Sequence, residues 1–282
     1  MGHRDLQRVV VRMVYDPVFA ATVKSNPATA LKGLKFSANE LGWLRATDTR
    51  AFGVDVHRRD RTLKALIDEY PRCTAIIFKR DGNLEGLAAF FEENEFHKAI
   101  QQRQHLAMAF GSYLERYAGK EEPDLVSLVV MESAIARLRR QSASEMAEDT
   151  GFILAPGAML VKTVSGSLNL FSELSGRLAK LSTSLEEAAL SGRVDIQGLP
   201  PIGTGRSESI LLTAEHSGKG EVALELCPDA LFRLLQCAEG GCTSKALLDC
   251  ARLEGADEDE AEEILEGLVS DGILQRHSSP NV

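Results

Sequence analysis

The chain has 282 residues, 44% hydrophobic and 26% charged, which suits about two folded domains and excludes wholesale disorder or a fibrous protein. Its 32 Lys and Arg against 41 Asp and Glu leave a formal charge of −9, the wrong sign for a protein whose main work is neutralising phosphates. No apolar run reaches the ~20 residues that span a bilayer, and the opening MGHRDLQRVVVRMVYD lacks the apolar core of a secretory signal, so a cytoplasmic protein with no membrane partner is expected.

The first half reads as helices. Leu6, Val9, Val10 and Met13 recur at helical spacing until Asp16-Pro17 stops the first helix, and a second begins at Val18. Ser37-Ala38-Asn39-Glu40 carries a capping-box signature ahead of Leu41, Trp43 and Leu44. A helix is predicted from Asp55 to Tyr70, ended by Pro71, and then a short β-like run, Ala75–Phe78. Residues 84–91, 96–117 and 124–146 are predicted helices. The last has Leu125, Leu128, Val129, Ile135 and Leu138 along one stripe and Arg137, Arg139 and Arg140 on the other side.

The pattern changes at Gly151. Phe152–Leu154, Ala158–Val164 and Leu168–Phe171 read as short strands, the last two joined by a turn at Ser165-Gly166-Ser167, and a helix follows at about 172–191. Gly198 to Gly205 is read as a loop or linker. Glu208–Glu215 and Glu221–Leu226 read as a hairpin around His216–Gly220. Three helices are predicted next, 230–238, 244–253 and 259–270, the last with an acidic start and an apolar stripe of Ala261, Ile264, Leu265 and Leu268, then a strand at 273–276. The fold class expected is α+β and mainly helical. Residues 1–148 form a helical region, as one module or two, and residues 149–282 form a small antiparallel β-sheet plus three helices in a winged-helix outline.

Catalytic signals are thin. The five cysteines (Cys73, Cys227, Cys237, Cys242, Cys250) are odd in number and never spaced C-x2-C, so structural thiols are expected rather than a disulfide framework or zinc ribbon. The six histidines include no H-E-x-x-H. His97, Gln101 and His105, with Glu93 a step earlier, recur at four-residue spacing and read as a solvated helix face in preference to a metal site. Gly203–Ser207 lacks the spacing of a phosphate loop, and no G-x-S-x-G frames a nucleophile. Asp48, Arg50 and Asp55 are expected either as ion pairs between helices or as a contact patch.

Glu221–Leu226 is a candidate edge strand, able to pair with an extended peptide through its main chain. Val222, Leu224 and Leu226 share one face and Glu221, Ala223 and Glu225 the other. The apolar trio either covers the helices behind it or faces a groove.

The run Glu221–Leu226, then Asp229–Leu235 with Ala238-Glu239-Gly240-Gly241, Ser244–Leu248, and Ala261–Leu268 with Asp271-Gly272-Ile273-Leu274 resembles the RiPP recognition element of the PqqD type. The resemblance covers roughly the last 75–120 residues. It implies a winged-helix domain whose edge strand and third helix hold the leader of a ribosomally made precursor peptide. That assigns peptide binding to Val222, Leu224, Leu226, Ala261, Ile264, Leu265 and Leu268. The longer layout, a helical front with this element behind, is similar to the TglI-like and MbnC-like partner subunits of multinuclear non-haem iron enzymes that modify peptide cysteines. It implies a noncatalytic subunit of a heterodimer, with no cofactor in this chain and iron in the partner. The front segment, with Asp16-Pro17-x-Phe19, Glu40-Leu41 and Asp48–Ala51, is also similar to the small helical subunit of ring-opening dioxygenases.

Two rival readings remain. One is a winged-helix DNA-binding regulator with an N-terminal sensor domain, which would need a basic face from Arg137, Arg139, Arg140 and Arg206 and is disfavoured by the acidic run from Glu254 to Glu266. The other is an enzyme in its own right, holding iron through His97, His105 and acidic neighbours.

Overall fold

The computed structural model describes residues 3–48, 57–119, 122–141, 151–181, 183, 185–190, 197–203, 205–214 and 221–277. The chain divides into two compact units, residues 1–119 with 180–196 and residues 120–179 with 197–282. The expected boundary at 148/149 lies inside the second unit. Arg50 and Asp55, the 216–220 turn and residues 142–146 of the long predicted helix lie outside the described residues.

In the first unit, α1 (His3–Tyr15) ends where Asp16 begins to cap α2 (Pro17–Ser25), its carboxylate accepting from the Phe19 amide at 2.8 Å. A short α3 (Pro27–Ala30) leads to α4 (Ala38–Ala46), which has the expected capping box: Glu40 accepts from the Ser37 amide at 2.7 Å and Ser37 Oγ from the Glu40 amide at 3.3 Å. Asp16 and Glu40, two residues of the dioxygenase-like pattern, thus serve as helix caps. Val9, Met13, Phe19, Val23, Leu31 and Leu44 form the core of these helices.

Next come α5 (Arg58–Glu69) and α6 (Pro71–Asp81), so the β-like run Ala75–Phe78 is corrected to helix. A short apolar run does not by itself separate a buried strand from a buried helix. Here Pro71 opens the helix and Gly82, at φ 69°, closes it. The chain continues through α7 (Glu85–Ala88) and a 3-10 turn at Ala89–Glu92 to α8 (Asn94–Gln102) and α9 (Leu106–Ala118). The single helix expected over 96–117 is therefore two. Arg103 sits left-handed at φ 54° and ends α8. Phe90, Phe91, Phe96 and Phe110 are fully buried and meet at 5.1–5.5 Å between ring centroids, mostly edge to face. A later segment, α12 (Leu185–Leu190), packs on α5 and α6.

The second unit starts with α10 (Pro123–Leu138), whose Leu125, Leu128 and Val129 are buried. Then come β1 (Gly151–Leu154), β2 (Ala158–Val164) and α11 (Ser167–Leu178). The third strand expected at Leu168–Phe171 is thus corrected to the first turn of α11. Gly166, at φ 93°, turns the chain, and the distant Glu208 carboxylate accepts from the Gly166 and Leu168 amides, each at 2.8 Å. That cap comes from 40 residues downstream, beyond the reach of local pattern reading. The helix expected at 172–191 is accordingly α11, which ends at Leu178, and the separate α12.

The expected hairpin is present: β3 (Ser207–Ala214) pairs antiparallel with β4 (Val222–Leu226), and β2 completes a sheet in the order β2-β3-β4. The predicted helices are α13 (Asp229–Ala238), α14 (Ser244–Leu253) and α15 (Glu258–Ser270). Between and after them run β5 (Cys242–Thr243) and β6 (Leu274–His277), which flank β1 in a second antiparallel sheet. A side chain at Gly151 would collide with the Cys242 carbonyl, so glycine permits that pairing. The chain is mainly helical with small antiparallel sheets, as expected. Among the described residues, no helix is long and apolar enough to cross a membrane.

Candidate functional site

The faces of the sheet follow from its register. Leu160 lies opposite Leu211, and both belong to one core with Phe232 and Leu235 of α13. The other face is therefore that of Ile210 and Leu212, packed on the side of α10 and α11. Leu226 pairs with Ile210, Leu224 with Leu212 and Val222 with Ala214, so the apolar trio of β4 belongs to the α10–α11 face. Val222 and Leu224 are half-buried there, while Leu226 is 61% exposed. Glu221, Ala223 and Glu225 share the α13 face.

Backbone hydrogen bonds show which groups of β4 are engaged. The Cys227 amide donates to the Ser209 carbonyl at 2.9 Å, and the Ala214 amide donates the other way, to Gly157, at 2.7 Å. In an antiparallel ladder hydrogen-bonded and non-bonded pairs alternate, so residues 223 and 225 bond to β3 while 222, 224 and 226 turn their N–H and C=O outward. Among the described residues no further strand pairs with β4. Its outer edge therefore offers three residues' worth of donors and acceptors at peptide spacing.

Directly after this strand, Pro228 opens a groove of about 690 Å³. Ala230, Leu231 and Leu234 of α13 form one wall, Ala251 and Ala256 the floor near the α14–α15 turn, and Ile264 of α15 the other wall. Carboxylates ring it. Glu254 is held by Arg233 (2.6 Å to Nε), which keeps its carboxyl below the usual range. Glu260 accepts from the Asp257 amide at 3.1 Å in a capping box at the start of α15, and Glu263 lies one turn further on. Helix α15 carries Glu258, Asp259, Glu260, Glu262, Glu263 and Glu266 and no basic residue. The groove favours an apolar side chain flanked by positive charge and disfavours phosphate.

Of the four α15 residues expected in the site, only Ile264, 41% exposed, lines the groove. Ala261, Leu265 and Leu268 are buried in the core with Phe232 and Leu235. The strand trio does not line the groove, and what β4 offers is its outward main chain. Sequence reasoning missed Pro228, Ala230, Leu231 and Leu234. The available signal was that α13 is apolar over more than the single stripe needed to cover one core.

The histidine face does not form, since the helix breaks at Arg103 between Gln101 and His105. His97 is not solvated. It is 5% exposed, with Phe96 5.4 Å away between ring centroids, and neither ring nitrogen has a hydrogen-bond partner. Burial, reinforced by the nearby Arg12 and Arg8 guanidinium groups, lowers its pKa to about 4. No cluster of three or more metal-ligating side chains occurs among the described residues. Neither protein-family models nor curated proteins show a match to this chain.

Proposed function

We propose that this chain is a noncatalytic partner subunit that captures the leader of a ribosomally made precursor peptide and presents the peptide's cysteine to a multinuclear non-haem iron enzyme, as in 3-thiaglutamate-type biosynthesis. In this reading the β2-β3-β4 sheet with α13, α14 and α15 is a winged-helix RiPP recognition element, and the helical first unit docks on the iron subunit. The observation that carries it is the open outer edge of β4, followed two residues later in the chain by Pro228 of the apolar, acid-rimmed groove. An extended peptide can add to that edge by backbone pairing and seat an apolar side chain beside Leu231 and Ile264. The acidic rim favours a leader with basic residues next to that anchor. The iron belongs to the partner, and this chain contributes binding and positioning only.

The test is a tagged pull-down from native cytosol with mass spectrometry of everything retained, including peptides below ~10 kDa, and metal analysis of the eluate. Co-recovery of an iron-containing protein and a short cysteine-bearing peptide is expected, with no stoichiometric metal on the chain purified alone. Recovery of the chain bound to DNA, with neither peptide nor iron protein, would replace this reading with the regulator.

A further inference from the structure

Cys237, near the C-terminal end of α13, and Cys250, on α14, place their Sγ atoms 2.7 Å apart. The helices are packed on one another, so the contact belongs to the fold. Cys237 is exposed and Cys250 half-buried, and both line a shallow depression with Arg233, Leu234, Gln236, Leu253 and Glu254. Small molecules can reach the pair from solvent. Cys73 and Cys227, by contrast, are buried.

We infer that Cys237 and Cys250 are a redox-modification site that closes to an intramolecular disulfide with a low-molecular-weight disulfide as oxidant. The inference rests on this pair alone and is independent of peptide capture. Cys237 is the attacking group. It is the accessible one, and its partner keeps its proton: the hydrogen bond to Cys237, then burial, then negative charge on Cys237, Asp249 and Glu254 push the Cys250 thiol up to about 11. The Cys237 thiolate attacks one sulfur of the oxidant, breaks its S–S bond and releases one thiolate. Cys250, deprotonated as it reacts, then attacks Cys237 Sγ in the mixed disulfide and expels the second. Two protein thiols are oxidised, one small disulfide is reduced to two thiols, and the two protons leave with them. The new bond ties α13 to α14, the helices whose Leu234, Ala251 and Glu254 line the groove.

The test treats the full chain with oxidised glutathione, alkylates it under denaturing conditions and maps its peptides. A mass loss of two hydrogens, a Cys237–Cys250 peptide, three alkylated cysteines out of five (5 − 2 = 3), reversal by dithiothreitol and a raised melting temperature are expected. Cys237→Ser should form no disulfide, and Cys250→Ser should stop at a glutathione adduct on Cys237. Five alkylated cysteines, a stable adduct on the wild-type chain, or a Cys242–Cys250 link would each overturn the inference.

Discussion

Leu224→Pro separates the edge of β4 from its ladder. The Leu224 N–H points away from β3, so proline there removes no hydrogen bond of the sheet, which is the setting in which edge strands tolerate it. The fold loses part of one half-buried leucine, about 1 kcal/mol. A peptide added at the edge loses one backbone donor and keeps an unsatisfied carbonyl in the interface, about 1–2 kcal/mol in all, or roughly 5- to 30-fold in affinity. Ala223→Pro is the matched control. Its N–H belongs to the β3 ladder, so this change should lower the melting temperature of the second unit more than Leu224→Pro does. The assay is fluorescence anisotropy with the labelled leader peptide from the pull-down, beside thermal unfolding of both variants. Wild-type affinity in a folded Leu224→Pro chain would refute strand addition at β4.

Three further outcomes are expected. Ile264→Glu adds charge to the groove wall at an exposed position, so peptide affinity should fall about tenfold with little change in melting temperature, measured by the same anisotropy titration. Glu208→Ala removes the carboxylate that caps α11 through two amides and should cost about 2–4 kcal/mol in denaturant unfolding, whereas Asp257→Ala, at an exposed capping box, should cost about 1 kcal/mol. His97 is held neutral in the folded state, with a pKa of about 4 against an ordinary 6.5, so its contribution is complete above pH 6.5 and is lost as pH falls towards 4, where the unfolded chain alone gains the proton. The loss should reach about 2–3 kcal/mol, and His97→Phe should flatten that part of the stability–pH curve; an unchanged slope would show that another group is responsible.

Local pattern was enough wherever neighbours in sequence were also the physical partners. The capping box at Ser37, the stop at Asp16-Pro17, the acidic start of α15, the β3–β4 hairpin and the three closing helices are all written in runs of neighbouring residues. The sequence alone therefore determined a mainly helical α+β chain with late strands, an acidic last helix and a candidate edge at 221–226.

Tertiary structure decided what depends on distant partners. Residues 75–78 are helix because the first unit buries them inside α6, and residues 168–171 are helix because Glu208 caps them from another strand. The site was half legible: alternation along β4 identified the apolar trio, but only the ladder with β3 showed which backbone groups are open and which face carries those side chains. On α15 a stripe at helical spacing reads alike whether it faces core or groove, and the packing of α13 gave Ala261, Leu265 and Leu268 to the core and left Ile264 on the wall. Cys237 and Cys250 form no motif because 13 residues separate them, and only two packed helices bring them together. Short-range hydrogen bonds and periodicity are written in neighbouring residues, whereas burial, register and side-chain meeting points exist only once the whole chain has closed on itself.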